Sequence, residues 1–274
     1  MIEGFNGVAL VSDAEGRALA ASGLDLDTRF QVASVSKCFA AAVTVMLADR
    51  GVLRLDDPVG PWDGVTVHRL LSHTAGLGQY RDIPTIDLEA GTVSRELIEA
   101  APLLHPPGSR WHYSSPGYVV LAAAIEERTG RPYGEIVHDL IVGPLGLDAT
   151  SVGVRPAANV AHGDGELDLA HLPGTGDIWS TVGDLNRFAR GLDPAVLRQM
   201  RTRHASLPEP QLGCAHYGYG LYIGAEMILH TGDVPGFRSL LAWLPGDRTA
   251  AVLTTDESSP GLMTVLDALT PARP

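Results

Sequence analysis

Residues 30–51, "FQVASVSKCFAAAVTVMLADRG", contain the only lysine of the chain, Lys37, three positions after Ser34. From Ser34 onward the stretch is apolar at helical spacing and rich in alanine, and Gly51 stands where a C′ glycine closes a helix. The other 19 of the 20 basic residues are arginines. A lysine can lose its proton when desolvated, whereas a guanidinium effectively cannot. Residues three apart share a helix face, so Lys37 can reach the Ser34 hydroxyl. That hydroxyl is a poor nucleophile without an adjacent base. Burial and the positive end of a helix dipole both favour the neutral amine. S-x-x-K alone also fits a snorkelling surface lysine. The absence of every other lysine is what makes a base the sharper reading.

Working outward, "GVALVSDAEGRALAASG" reads as two short strands around an Asp-Ala-Glu-Gly turn. "DDPVGPWDG" is a loop. Residues 66–200 hold short helical patterns broken by Pro and Gly, the clearest being "SPGYVVLAAAIEERTG" with Pro116 in its first turn and Gly130 at its end. From about residue 217 the period changes. "YGYGLYIG", "EMILHTG", "FRSLLAWLPGD" and "RTAAVLTTDE" read as strands with Gly and Pro-Gly-Asp turns, and "SPGLMTVLDALTPARP" as a closing helix. The pattern predicts an α/β fold of the α+β kind, an antiparallel sheet flanked by helices. Residues 1–60 and 210–274 would form the sheet lobe and 61–209 an inserted, mainly helical lobe, with the active site between them.

Two further motifs carry chemistry. Tyr113-Ser114-Ser115 places a tyrosine just before a helix, where it relays protons if a nearby cation lowers its pKa. An ordinary buried tyrosine is the bland alternative. His230-Thr231-Gly232 lies on a strand, which can offer a backbone N–H to an oxyanion, with a glycine that lets substrate approach closely. A strand end with a turn is the alternative there.

In order and spacing these motifs resemble the serine penicillin-recognising superfamily, in the branch of class C β-lactamases, D-Ala-D-Ala carboxypeptidases and β-lactamase-like esterases. The resemblance rests on "FQVASVSKCF", on "YSSPGYVVLAAAIEERTGRPYGEIVHDLIVGPLGLDAT" and on "HTGDVPGF". "LLSHTAGL", "IWSTVGDLNRFARGL" and "YGYGL" look like its connecting segments, so about residues 6 to 256 are covered. The resemblance implies that Ser34 attacks a carbonyl and forms an acyl-enzyme. Lys37 would accept its proton and Tyr113 act as the second acid/base, with the N–H groups of Ser34 and Asp233 as the oxyanion hole. Ser115, His230, Thr231, Gly232 and Asp233 would contact substrate. Ser115 stands where the family commonly has asparagine, and Asp233 where a small residue is usual.

A net charge of -12 argues against nucleic acid or an anionic membrane as partner. No apolar run reaches the roughly 18 residues of a membrane span. "MIEGFNGVALVSDAEG" shows no signal peptide, so a cytoplasmic protein is expected. Cys38 and Cys214 are expected to be free thiols. The remaining histidines show no metal spacing, so neither metal nor cofactor is expected, and "GTGD" lacks the context of a nucleotide loop. The expected function is hydrolysis or acyl transfer on a small-molecule ester or amide. The alternatives are a β-lactamase or carboxypeptidase with a trimmed leader, and a non-catalytic sensor module.

Overall fold

The computed structural model describes residues 2–167, 169–255 and 260–270. Its strands are β1 (Gly7–Ser12), β2 (Ala18–Gly23), β3 (Phe30–Gln31), β4 (Ser151–Val152), β5 (Ile178–Ser180), β6 (Ala205–Gln211), β7 (Cys214–Tyr217), β8 (Tyr222–Gly224), β9 (Ile228–Val234), β10 (Phe237–Leu244) and β11 (Arg248–Thr254). The helices are α1 (Ser36–Asp49), α2 (Val67–Leu71), α3 (Arg95–Glu99), α4 (Ser115–Thr129), α5 (Tyr133–Val137), α6 (Val182–Gly191), α7 (Pro194–Met200) and α8 (Leu262–Leu269).

Eight strands form one sheet in the order β2-β1-β11-β10-β9-β8-β7-β6, antiparallel throughout. The opening hairpin joins the closing strands because β1 pairs with β11, Gly7 opposite Thr254 and Ser12 opposite Thr249. Alternation decides which way each side chain faces. Val8, Leu10, Leu241, Ala251 and Leu253 enter the larger core with α1, α4 and α6. Ala9, Val11, Leu240, Ala242 and Val252 face the other way, onto Val265 and Leu266 of α8. Both faces are covered, which is why β1 is buried along its whole length. The described part of the closing segment is helical over α8; residues 256–259 and 271–274 of the expected strand and helix lie outside the described residues.

The segment between β3 and β6 supplies α1 to α7. Pro116 lies in the first turn of α4, and the Ser114 hydroxyl caps it by accepting from the Gly117 N–H at 3.0 Å. Gly130 closes that helix at φ +67°. Phe39 of α1 stacks on Phe188 of α6, ring centroids 3.9 Å apart. The sequence pattern did not predict β3, β4, β5, β6 or β7. β3, β5 and β4 make a second, three-stranded sheet of very short strands. β6 contains Pro208 and Pro210 and occupies the sheet edge, where a missing N–H costs no ladder bond. Cys38 and Cys214 are free and buried. Among the described residues no helix is long and apolar enough to cross a membrane.

Candidate active site

Ser34 lies in a 3-10 turn, Ala33–Val35, that leads into α1. Ala33 takes φ +46°, a strained value for a residue with a Cβ, and Val35 N–H donates to Val32 O at 3.1 Å. This tight turn sets the serine at the start of α1, partly exposed, with Lys37 one turn behind it. Lys37 is fully buried. Its Nζ lies 2.9 Å from Ser34 Oγ, 2.8 Å from Thr175 Oγ1 and 3.4 Å from Thr175 O. Burial lowers its pKa to about 7, against the pull of the Cys38 thiol and the Asp177 carboxylate. Three acceptors suit an ammonium, and the desolvation suits an amine. Near neutrality the group can exchange a proton with Ser34.

Tyr113 sits across from this pair. Lys37 Nζ lies 5.1 Å from its ring centroid. Burial pushes the Tyr113 hydroxyl well above the usual tyrosine range, although Ser34 and Ser115 are close enough to oppose the shift. Burial outweighs its neighbours here, so the phenol keeps its proton near neutrality.

From the strand side, His230 is buried, at 1% exposure. Its Nδ1 meets Thr231 O at 2.7 Å and its Nε2 meets the Tyr217 hydroxyl at 3.1 Å. A carbonyl can only accept, so Nδ1 carries the proton and Nε2 accepts from the phenol. Burial, and then the Lys37 charge, hold its pKa down at about 3. Thr231 and Asp233 line the same cavity, and the Asp233 carboxylate lies 3.7 Å from Arg238 Nε. Gly232 also has a packing use. A Cβ there would fall 2.5 Å from Val32 O and 2.9 Å from Ala33 Cβ. Its missing side chain lets β9 close on the turn that carries Ser34.

Ser115 begins α4 and is tied to Gln79. The Gln79 Nε2 donates to Ser115 Oγ at 3.2 Å, and Ser115 N–H donates to Gln79 Oε1 at 3.3 Å. Ser34, Tyr113, Ser115, His230, Thr231 and Asp233 share one cavity of about 410 Å3. Its far wall is apolar, built from Leu88, Leu167, Leu169 and Leu172, with the exposed Arg81 also on its lining. Among the described residues no cluster of His, Cys, Asp or Glu could hold a metal.

Three residues of the site escaped the sequence reading. Thr175 and Asp177 belong to the "GTGD" stretch set aside above, and they supply the partner and the buried counter-charge of Lys37. Asp177 is 1% exposed, takes a bond from Gly174 N–H at 3.1 Å, and is raised by burial to about 7. The third is His73, at φ +56°. It accepts from Ser114 N–H at 3.2 Å and packs its ring 4.4 Å from that of Tyr113. Burial holds it neutral.

The Beta-lactamase family model matches residues 4–270. The chain is 26% identical over 263 residues to Penicillin-binding protein 4* of Bacillus subtilis (strain 168), covering 80% of this chain and 58% of that protein. It is 35% identical over 161 residues to Esterase EstB of Burkholderia gladioli, covering 47% and 40%. It thus spans less than two thirds of the length of either curated relative. The solved D-stereospecific amidohydrolase from a Streptomyces species superposes with a TM-score of 0.81 at 25% identity, covering 99% of this chain and 95% of that one. An esterase and a D-alanyl-D-alanine-carboxypeptidase/endopeptidase are among the curated relatives. With the family match running along nearly the whole chain and the sheet and site residues arranged as described, the chain belongs to the beta-lactamase family of serine hydrolases.

Proposed function

We propose that this protein is a serine hydrolase that forms an acyl-enzyme on Ser34 and cleaves an ester or activated amide of a compact, apolar acyl group. The observation that carries the reading is the contact of Lys37 Nζ with Ser34 Oγ at 2.9 Å, made by an amine that burial brings to a pKa of about 7. In the first half-reaction the Ser34 oxygen attacks the carbonyl carbon while its proton passes to neutral Lys37. The N–H groups of Ser34 and Asp233 receive the oxyanion. Tyr113 donates its proton to the leaving oxygen or nitrogen and recovers one from the Lys37 ammonium. The same groups run in reverse when water or a small alcohol or amine attacks the acyl-enzyme. Atoms and protons balance without a cofactor.

The substrate class follows from the walls of the cleft. A cavity of about 410 Å3 suits a small molecule. The four leucines favour an apolar acyl chain or ring. The Gln79 side chain, bonded on both sides to Ser115, has less to offer a peptide amide than an unengaged carboxamide would, and this favours esters over peptides.

A panel of p-nitrophenyl esters, nitrocefin, a D-Ala-D-Ala peptide and a D-amino acid amide tests the reading, with intact-mass spectrometry of the protein. Ester turnover with a transient acyl adduct on Ser34 is expected. Preferential turnover of nitrocefin or the peptide would move the assignment to a β-lactamase or carboxypeptidase. A stable adduct without turnover would make the chain an acylatable sensor.

A further inference from the structure

A second cavity, of about 550 Å3, lies at the other end of β9 from the cleft. The C-terminal ends of α6 and α7, the β8–β9 turn and the β10–β11 turn enclose it, and four guanidiniums line it: Arg190, Arg198, Arg201 and Arg248. Among the described residues none of the four lies within ion-pair reach of a carboxylate. Eight arginines elsewhere do. Acids are not scarce in a chain with 32 of them and a net charge of -12. Inside the cavity only Glu226 and Asp247 oppose the four cations, and neither pairs with one.

Helix ends account for part of this. Arg190 and Arg198 occupy the last turns of α6 and α7, where a cation suits the negative end of the dipole. That explanation does not reach Arg248, which enters from a strand. Nor does it reach Arg190 Nε, which is buried with no hydrogen-bond partner. The Arg190 head is held in place. It packs on Gly16 in the β1–β2 turn, where a Cβ would fall 2.5 Å from Nη2. Trp243, Ile228 and Leu197 add apolar wall. A concavity with four cations against two acids keeps a net positive charge and focuses its field, and guanidiniums match carboxylate and phosphate oxygens two at a time.

We propose that this cavity binds a small organic anion, a carboxylate or phosphate carried on an apolar or aromatic body, at a site separate from the Ser34 cleft. The guanidiniums take the charged head and the Trp243 side takes the body.

Isothermal titration of the full chain with phenyl phosphate at low salt tests it. One saturable site with a Kd below about 1 mM is expected. Benzyl alcohol, a neutral ligand of similar bulk, should give no saturable heat. Arg190→Gln with Arg248→Gln should weaken binding about tenfold or more and leave ester turnover unchanged. Arg198→Gln with Arg201→Gln, both exposed positions, should also weaken it and guards against a folding defect in the first pair. The proposal is overturned if no saturable binding is seen to about 10 mM phenyl phosphate, if binding is unchanged in both double variants, or if acylating Ser34 abolishes it.

Discussion

Lys37 and His230 are two bases buried beside the same cleft on different elements, a helix and a strand, and burial has shaped them differently. Lys37 is surrounded by oxygens that tolerate either protonation state: the Ser34 and Thr175 hydroxyls and, at 3.4 Å, a carbonyl. Asp177 offsets part of the desolvation, and the pKa settles at about 7. His230 is fixed between a carbonyl that must accept and a phenol that donates, and its pKa falls to about 3. Desolvation alone does not make a catalytic base. The neighbours decide whether a buried base titrates in the working range or becomes a neutral strut. In the proposed mechanism the helix side carries the proton traffic and the strand side holds shape.

The sharpest way to break the comparison is Lys37→Arg. The guanidinium keeps the charge, cannot deprotonate and is bulkier in a closed site. Ester turnover should fall by about a thousandfold or more, roughly 4 kcal/mol in barrier. Lys37→Ala and Ser34→Ala should lose a similar amount, because groups that act as a unit give non-additive losses. A folded Lys37→Arg protein within about tenfold of the parent would show that the lysine is only a structural cation.

Tyr113→Phe comes next in size. In the proposed mechanism this phenol, held protonated by burial, acts on the leaving group. Its removal should cost about a hundredfold on alkyl esters and much less on p-nitrophenyl esters, whose leaving group needs no proton. Equal losses on both substrates would instead place Tyr113 in the activation of Ser34.

How much of this was legible in the sequence varies with the distance over which each signal acts. S-x-x-K declared itself because three residues on a helix make a local contact. The eight-stranded sheet declared itself through the apolar runs of β9, β10 and β11 and the hairpin at the start. β6 did not, because Pro208 and Pro210 argue against a strand unless its edge position is known. β3, β4 and β5 are too short to carry a period. Thr175 lies 138 residues from Lys37. Nothing in "LPGTGD" marks it as the partner of a lysine; only the fold joins them. Gly232 was read for substrate access; its packing against Val32 and Ala33 was not legible, because those residues lie in a distant part of the chain.

Thr175→Val tests that long-range contact with a smaller effect. The hydroxyl favours the ammonium, so losing it lowers the Lys37 pKa further. The acid limb of the kcat/KM profile, where neutral Lys37 is required, rises through about pH 7 in the parent. In Thr175→Val it should move to lower pH, with about a tenfold loss at the plateau from a less constrained amine. Asp177→Asn should shift the limb in the same direction by removing a negative charge. Thr175→Ser should restore the parental profile. A limb that stays put in Thr175→Val would mean that the hydroxyl packs without tuning.

His230→Gln is the smallest expected effect and tests the strand side. A group with a pKa of about 3 is neutral throughout the range in which the enzyme would be assayed. Replacing it removes no titration, so the acid limb near pH 7 should not move. What the substitution changes is a strut. The Tyr217 hydroxyl must find a new acceptor, and a buried donor left unpaired costs roughly 1–3 kcal/mol of stability. A glutamine oxygen can take that bond, so the loss should fall at the lower end, read as a drop of a few degrees in Tm with turnover within about tenfold of the parent. His230→Ala offers no acceptor and should lie at the upper end of stability loss, again with the pH profile unmoved. Were the acid limb to shift in either variant, His230 would be exchanging protons with Lys37 during turnover. The helix side and the strand side would then form one titrating unit.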